Sequence, residues 1–383
     1  MKQVVETVSG TMASFVRIRA SLVNYFLKKV GLLYRFNLLG LLLICLITGC
    51  QRPTSNSSSI SASNLPSKGD CQVIEHDFGE TNICDTPKKI AVLGPYVLDS
   101  VLTLGVQPSG YAEIYQFQRG DFNNPSEQIP YLGDRVTTYP VNLGRSAQPS
   151  LEAIAKLKPD LIIGGVVGNK DEYRLLSKIA PTILVNDSPT DDWRDSILIL
   201  AKALKREQEA QDAINRYQQQ IEATKIQLAP VVSEVPKVLV ISGDLKQFIT
   251  LANEHSFSGR LLTDLGFEVV APKELKDTKR LSKISLEILP NLDADQIIIQ
   301  GINLNAKDFF IQKLGLPIEN LQEKLTDFQL TKVKQEWKQN AITKRMKANQ
   351  EGRVYFTTYY LWKGLRGPIG TQLILNDLRQ MLL

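Results

Sequence analysis

The hydrophobic pattern of the chain repeats one local theme. Short apolar runs of three to five residues, Ile90–Leu93, Leu161–Ile163, Thr182–Val185, Val238–Ser242 and Ile297–Ile299, alternate with stretches whose apolar residues recur every three or four positions. The runs read as strands buried on both faces and the periodic stretches as helices, so the alternation predicts parallel sheets with right-handed crossovers. Within 142–165, Ser150 caps a helix carrying Leu151, Ile154 and Ala155 on one face, Lys158-Pro159-Asp160 stops it, and a strand follows. Ser285-Leu286-Glu287 repeats the unit. Seven residues separate Glu152 from Asp160, and seven separate Glu287 from Asp295. One αβ unit used twice predicts two related lobes. Each lobe opens alike, with Pro87-Lys88-Lys89 before one strand and Pro236-Lys237 before the other.

The remaining elements follow in order. Val97–Leu104 is a helix ended by Gly105, and 106–111 returns as a strand. Residues 112–148 read as a long irregular loop, of the kind that carries function in a compact domain. Asp191 or Asp192 caps a helix from Trp193 to about Leu204. A second helix, from about Glu207 to Leu228, carries a stripe of Ala210, Ile214, Tyr217 and Ile221, and at ~1.5 Å per residue it is long enough to bridge two lobes. Ser258–Leu265 is a helix, 267–270 and 353–357 are strands, 358–367 is an aromatic loop, and Pro368–Leu382 is the last helix. The fold class is α/β, two lobes each built on a mainly parallel sheet flanked by helices and joined by a long helix.

Charge changes the picture only once the N-terminus is set aside. The 383 residues carry a net +5, but residues 1–49 hold six basic residues and one acidic. Without them 39 of each sign remain, which leaves no electrostatic footprint for nucleic acid. An apolar run over 38–47 follows the basic region and is too short to span a bilayer. It ends in Ile47-Thr48-Gly49-Cys50, the pattern of a bacterial lipobox with Cys50 as the lipidated residue; an ordinary signal peptide or an uncleaved anchor would share the apolar run. The organisation read from this is a lipoprotein signal peptide over 1–49, a Ser/Asn/Pro-rich tether over 50–70, an N-terminal α/β lobe over 71–190, connecting helices over 191–230 and a C-terminal α/β lobe over 231–383. Cys71 and Cys84 form an even pair in an oxidising compartment, which predicts a disulfide closing a small hairpin.

Candidate chemistry is that of binding. The chain has two histidines, His76 and His255, too few and too far apart for a metal site. It has no G-x-S-x-G, H-E-x-x-H or P-loop, and Gly164, Gly165 and Gly168 do not fit G-x-G-x-x-G, so no enzyme is expected. Aromatic and arginine residues instead cluster where strands end, the usual ligand crevice of open α/β sheets. They are Tyr96; Tyr115, Arg119, Arg145 and Ser146; Trp193; Arg260; and Tyr359, Tyr360, Trp362 and Arg366. Aromatic walls with charge-assisted donors suit an anionic or oxygen-rich ligand. In 359–362 four large residues crowd one turn, more than a core is expected to take.

The ordered set HDFGETNIC, PKKIAVLGPY, QPSLEAIAKLKPDLIIG, IAPTI, FSGRLLTDLGF and YYLWKGLRGPIGTQLILNDL resembles the iron–siderophore substrate-binding lipoproteins of bacterial ABC transporters, the ferric hydroxamate/ferric citrate receptor family, from about Cys71 to the end. The resemblance implies a class III periplasmic-binding-protein fold with a rigid interlobe helix and a shallow cleft for ferric siderophore, with no cofactor. It implies a monomer on the periplasmic side of the envelope, lipid-anchored to the membrane, that partners a permease and, through it, an ATPase. It also implies that one outward glutamate per lobe docks on permease arginines; Glu152 and Glu287 match those positions. In the family an arginine often stands three residues before the proline of the first unit. Here Ser146 stands there, with Arg145 one residue further back. Haem or cobalamin in the same fold is the alternative ligand, and an enzyme or a lipoprotein adhesin the alternative class.

Overall fold

The computed structural model describes residues 71–115, 120–246, 248–276, 283–303 and 320–383, all within one compact unit. The signal peptide, the tether, Cys50 and Arg119 lie outside the described residues.

The chain begins with a hairpin, β1 (Gln72–His76) and β2 (Gly79–Ile83), which a Cys71–Cys84 disulfide closes. The first lobe follows. Strand β3 (Ile90–Leu93) leads to helix α1 (Pro95–Thr103), and β4 (Gly110–Glu113) returns. Next come β5 (Val141–Arg145), the two-residue β6 (Gln148–Pro149), helix α2 (Leu151–Leu157), β7 (Leu161–Gly165) and β8 (Thr182–Val185). They form one sheet in the order β6-β5-β4-β3-β7-β8, parallel except for the β5–β6 pair. The strands β3, β7 and β8 are buried along their whole length, which explains their unbroken apolar runs.

Helix α3 (Trp193–Leu204) starts at Asp192, whose carboxylate accepts from the Arg194 amide, and packs beside α4 (Glu207–Glu234). With 28 residues α4 spans ~42 Å and joins the lobes. Its buried stripe is Ala210, Ala213, Tyr217, Ile221, Thr224 and Leu228, so Ala213 and Thr224 join the core and Ile214 is only partly covered.

The second lobe holds β9 (Lys237–Asp244), β10 (Phe248–Leu251), α5 (Phe257–Asp264), β11 (Glu268–Val269), β12 (Gln296–Gly301), α6 (Leu321–Gln339) and β13 (Val354–Thr358), then α7 (Pro368–Leu382). Its sheet runs β10-β9-β12-β13, with β11 also on β9. Helix α6 was not expected from the sequence, although Leu321, Leu325, Val333 and Trp337 are buried at helical spacing.

The internal repeat is structural. Ser150 Oγ accepts from the Ala153 amide, and Ser285 Oγ from the Glu287 amide. Asp160 Oδ2 accepts from the amides of Lys88 and Lys89, and Asp295 Oδ2 from that of Lys237. Each aspartate thus ties the start of its strand to the first strand of its lobe. The second copy is shorter. Leu286–Asn291 is a 3-10 turn rather than an α-helix, because Pro290 removes a donor and blocks a longer run.

Three further expectations are corrected. The return strand is 110–113 rather than 106–111, since Gly105 at φ 71 turns the chain and an irregular stretch follows before pairing with β3 begins at Gly110. The region around Arg145 is an edge hairpin rather than open loop: the chain reverses at Ser146-Ala147 and Arg145 pairs with Gln148, while Gly144 at φ 85 lies within β5 where its pairing with β4 shifts register. The residues 360–364 form a π-helical turn, not a loop.

Candidate functional site

All five parallel strands of the first sheet end around one cavity of about 100 Å3. β3 contributes Gly94 and Tyr96, β4 Ile114, β5 Ser146, β7 Asn169 and β8 Asp187. The second lobe closes it through the turn after β13, with Lys363, Gly364 and Arg366. The strands change direction of progression at β3, which has β4 on one side and β7 on the other, so the cavity lies at the topological switch point.

Tight backbone approaches build the floor. A Cβ on Gly165 would meet the Asp187 carboxylate at 2.2 Å, and Gly94 holds φ 116, a conformation L side chains rarely adopt. Asn169 ties two strand ends together: its Nδ2 donates to Ser146 O (2.6 Å) and its Oδ1 accepts from Gly165 N (3.2 Å). Asp187 Oδ1 accepts from Val167 N (2.7 Å), and burial raises this carboxyl above its ordinary range.

The roof is cationic. Arg366 is 7% exposed and lies over the Tyr96 ring, 5.0 Å from its centroid. Its Nη2 donates to Asp187 O (2.6 Å), while Nε and Nη1 are buried without hydrogen-bond partners. Burial lowers its pKa. Lys363 is equally buried and makes no ion pair or hydrogen bond among the described residues. Burial, then the adjoining Arg366 charge, lowers it to about 8.

Beneath the roof, Glu113 locks the turn to the first lobe. Its Oε2 accepts from Tyr111 Oη (2.9 Å) and Tyr360 Oη (2.8 Å), and its Oε1 from Ile114 N (2.6 Å). Fully buried, its carboxyl is raised to about 7 despite these donors. Tyr131 stacks on Tyr360 with centroids 5.9 Å apart and meets Thr358 Oγ1 through its hydroxyl (2.9 Å). Asp99, also fully buried, caps α7 by accepting from Ile369 N (3.0 Å) and Gly370 N (2.7 Å).

Of the sequence-predicted ligand residues, the structure brings Tyr96, Ser146 and Arg366 into the cavity wall. Tyr115 and Tyr359 stand half-buried next to each other, Tyr115 within the fields of Glu113 and Arg145 and Tyr359 within that of Arg366. Arg145 itself is exposed at the end of β5. Four others are corrected. Trp193 is 3% exposed and packs edge-on against Tyr217, which makes it core. Trp362 is fully buried with its Nε1–H donated to Asp377 Oδ2 (2.8 Å). Tyr360 faces Glu113 rather than the cavity. Arg260 spends its guanidinium on the carbonyls of Thr190 (2.8 Å), His255 (3.0 Å) and Asp191, so it straps α5 to the segment leaving the first lobe. The crowded aromatic turn does find a core, because the π-helical backbone tucks Tyr360, Leu361 and Trp362 inward. Sequence reasoning missed Lys363, Glu113, Asn169 and Asp187; Lys363 stands inside a stretch already singled out.

The two exposed glutamates occupy equivalent places, Glu152 in the first turn of α2 and Glu287 in the turn before β12. Among the described residues Glu152 has no partner and Glu287 accepts only from Ser285 Oγ (3.3 Å).

Two α/β lobes joined by one long helix, with a polar cavity where they meet, define a class III two-lobe binding protein. The chain belongs to the periplasmic binding protein family, whose model matches residues 90–361. It is 29% identical over 330 residues to the Fe(3+)-citrate-binding protein YfmC of Bacillus subtilis, covering 85% of this chain and 90% of that one. It is 27% identical over 358 residues to "Probable siderophore-binding lipoprotein YfiY" of the same organism, covering 92% and 97%. Among solved structures it resembles Staphylococcus aureus SirA complexed with staphyloferrin B, with TM-score 0.63 and 26% identity over 81% of this chain and 98% of that one.

Proposed function

We propose that this protein is the substrate-binding component of an ABC importer, which takes up a ferric siderophore in the cleft between its lobes and delivers it to a membrane permease. The observation that carries this reading is the cavity at the switch point, roofed by two buried cations from the opposite lobe. The names of the relatives support the ligand class. The protein acts as a monomer on the outer face of the membrane, held there by a lipid on Cys50 after removal of 1–49, with 50–70 as tether. The lobes then comprise 71–190 and 231–383, with 191–230 between them. Glu152 and Glu287, exposed and free of ion pairs among the described residues, dock on the permease. Tyr96, Ser146 and Arg366 touch the ligand, and Tyr115, Tyr359 and Arg145 line the approach.

The protein holds no cofactor and catalyses no reaction; the siderophore fills the iron shell itself. Haem would need an axial His or Tyr. Tyr96, the tyrosine in the cavity wall, has its hydroxyl committed to Ser196 (3.1 Å), and a Soret band on addition of haem would favour that ligand instead. The test is quenching of intrinsic Trp/Tyr fluorescence on titration with ferric hydroxamates, catecholates and citrate. Saturable quenching by at least one is expected, and none by any of them overturns the reading.

A further inference from the structure

We infer that Lys363 and Arg366 form a subsite for a carboxylate arm of the ligand, so that the cleft selects carboxylate-bearing anionic ferric chelates over neutral hydroxamate ones. The inference rests on the receptor reading above and assigns the ligand class to that same site.

The first argument is unmet hydrogen bonding. A guanidinium carries five N–H donors in a fixed plane, and buried donors are almost always matched. Arg366 matches one nitrogen and leaves Nε and Nη1 buried and orphaned. Lys363, with three donors, has none matched among the described residues. Both come from one turn and reach the same cavity.

The second argument is charge. Two like charges share a site that burial already makes unfavourable to either. Among the described residues the charged groups around them are few. Asp187 lines the cavity, yet its Oδ1 is engaged by Val167 N and its burial disfavours the ionised form. Asp191 acts on Arg366 from outside the lining. Glu113 points its oxygens at Tyr111, Tyr360 and Ile114 N. Tyr96 offers Arg366 a ring face, and Tyr359 lies in its field. The cavity lining sets one carboxyl, Asp187, against two cations, which leaves room for one further anion.

The third argument is size. About 100 Å3 cannot hold a whole ferric chelate, but it accommodates a carboxylate group projecting from one. A neutral ferric trihydroxamate offers no such group and would leave the buried Arg366 Nε and Nη1 without an acceptor. A ferric tricatecholate is anionic, but its charge sits on the iron-bound oxygens, behind rings too bulky for this cavity.

The experiment titrates the mature protein with ferric citrate, a neutral cyclic ferric trihydroxamate and a ferric tricatecholate, following fluorescence quenching, and repeats the ferric citrate titration on Lys363→Met. Ferric citrate is expected to bind at least about tenfold more tightly than either other chelate. Lys363→Met is expected to weaken ferric citrate binding at least about tenfold while its Tm stays level or rises, because an unpaired buried charge has been removed. Equal or tighter binding of the trihydroxamate or the tricatecholate overturns the subsite while leaving the receptor reading intact. So does a Lys363→Met protein with unchanged ferric citrate affinity. Binding of none of the three overturns the receptor reading itself. The preference of the unmodified protein decides the matter even where the variant does not fold.

Discussion

Glu113 offers the sharpest test of how the lobes are held together. Its carboxyl is buried beneath the turn that carries Lys363 and Arg366, and it is the group to which Tyr360 of that turn is hydrogen-bonded. Burial raises the acid from its ordinary 4.5 to about 7. The folded protein therefore holds this proton over a range where the unfolded chain has released it. The stability it contributes is fully present below pH 4.5, is lost progressively as pH rises and is gone above about 7. A shift of that size corresponds to about 3 kcal/mol, or two orders of magnitude in the folding equilibrium. Asp99, raised to about 6, and Asp187, Asp191 and Asp377, all raised mainly by burial, slope the same way, so the wild-type profile alone does not isolate Glu113. Glu113→Gln does. Its amide oxygen can accept from Ile114 N, and its NH2 can donate to the tyrosine hydroxyls, so near pH 4.5 the two proteins should agree within about 1 kcal/mol. Urea unfolding from pH 4.5 to 8 should show the wild type losing about 3 kcal/mol more than the variant. Parallel profiles would refute the claim that this carboxyl titrates in the folded state.

Arg260→Ala removes three bonds to carbonyls and should cost about 2–3 kcal/mol in denaturant unfolding, with ferric-chelate affinity unchanged; an affinity loss without a stability loss would return Arg260 to the ligand. Gly370→Ala places a Cβ 2.2 Å from Leu365 O, which backbone cannot relieve, so α7 must shift; about 2–4 kcal/mol of destabilisation and a weaker site are expected, and a Tm equal to wild type would contradict the packing. Replacing Glu152 and Glu287 together by Ala should abolish import in cells while leaving ligand affinity intact in the purified protein; a drop in affinity would make them ligand residues instead.

The architecture was legible because its determinants are local. A capped helix followed by an apolar run says strand and crossover wherever it occurs, and the spacing from Glu152 to Asp160 and from Glu287 to Asp295 carried the repeat without any knowledge of contacts. The structure adds what the aspartates do: each clasps the amide of the lysine that opens its lobe. What spacing does not encode is backbone competence. The same motif closes as an α-helix at 151–157 and as a 3-10 turn at 286–291, where Pro290 stands inside the second copy. Helix α6 was equally visible. Its buried leucines and Trp337 lie at helical spacing, yet they are set in a stretch polar enough to read as surface.

The site was half legible, for a different reason. Loop aromatics were read as ligand walls because a turn was assumed to be exposed. A π-helical turn breaks that assumption: its wider winding turns Tyr360, Leu361 and Trp362 inward and leaves Lys363 and Arg366, which follow them, facing the opposite lobe. Lys363 was then overlooked by the same rule applied in reverse, since a lysine in a turn is ordinarily solvated. Which residues end in the core and which in the cavity is decided by Glu113, 247 positions away in sequence, through its bond to Tyr360. A determinant that distant has no local signature. Because that bond holds the turn from which Lys363 and Arg366 reach the cavity, Glu113 and the cations should be mutated together before either is assigned a share of any affinity.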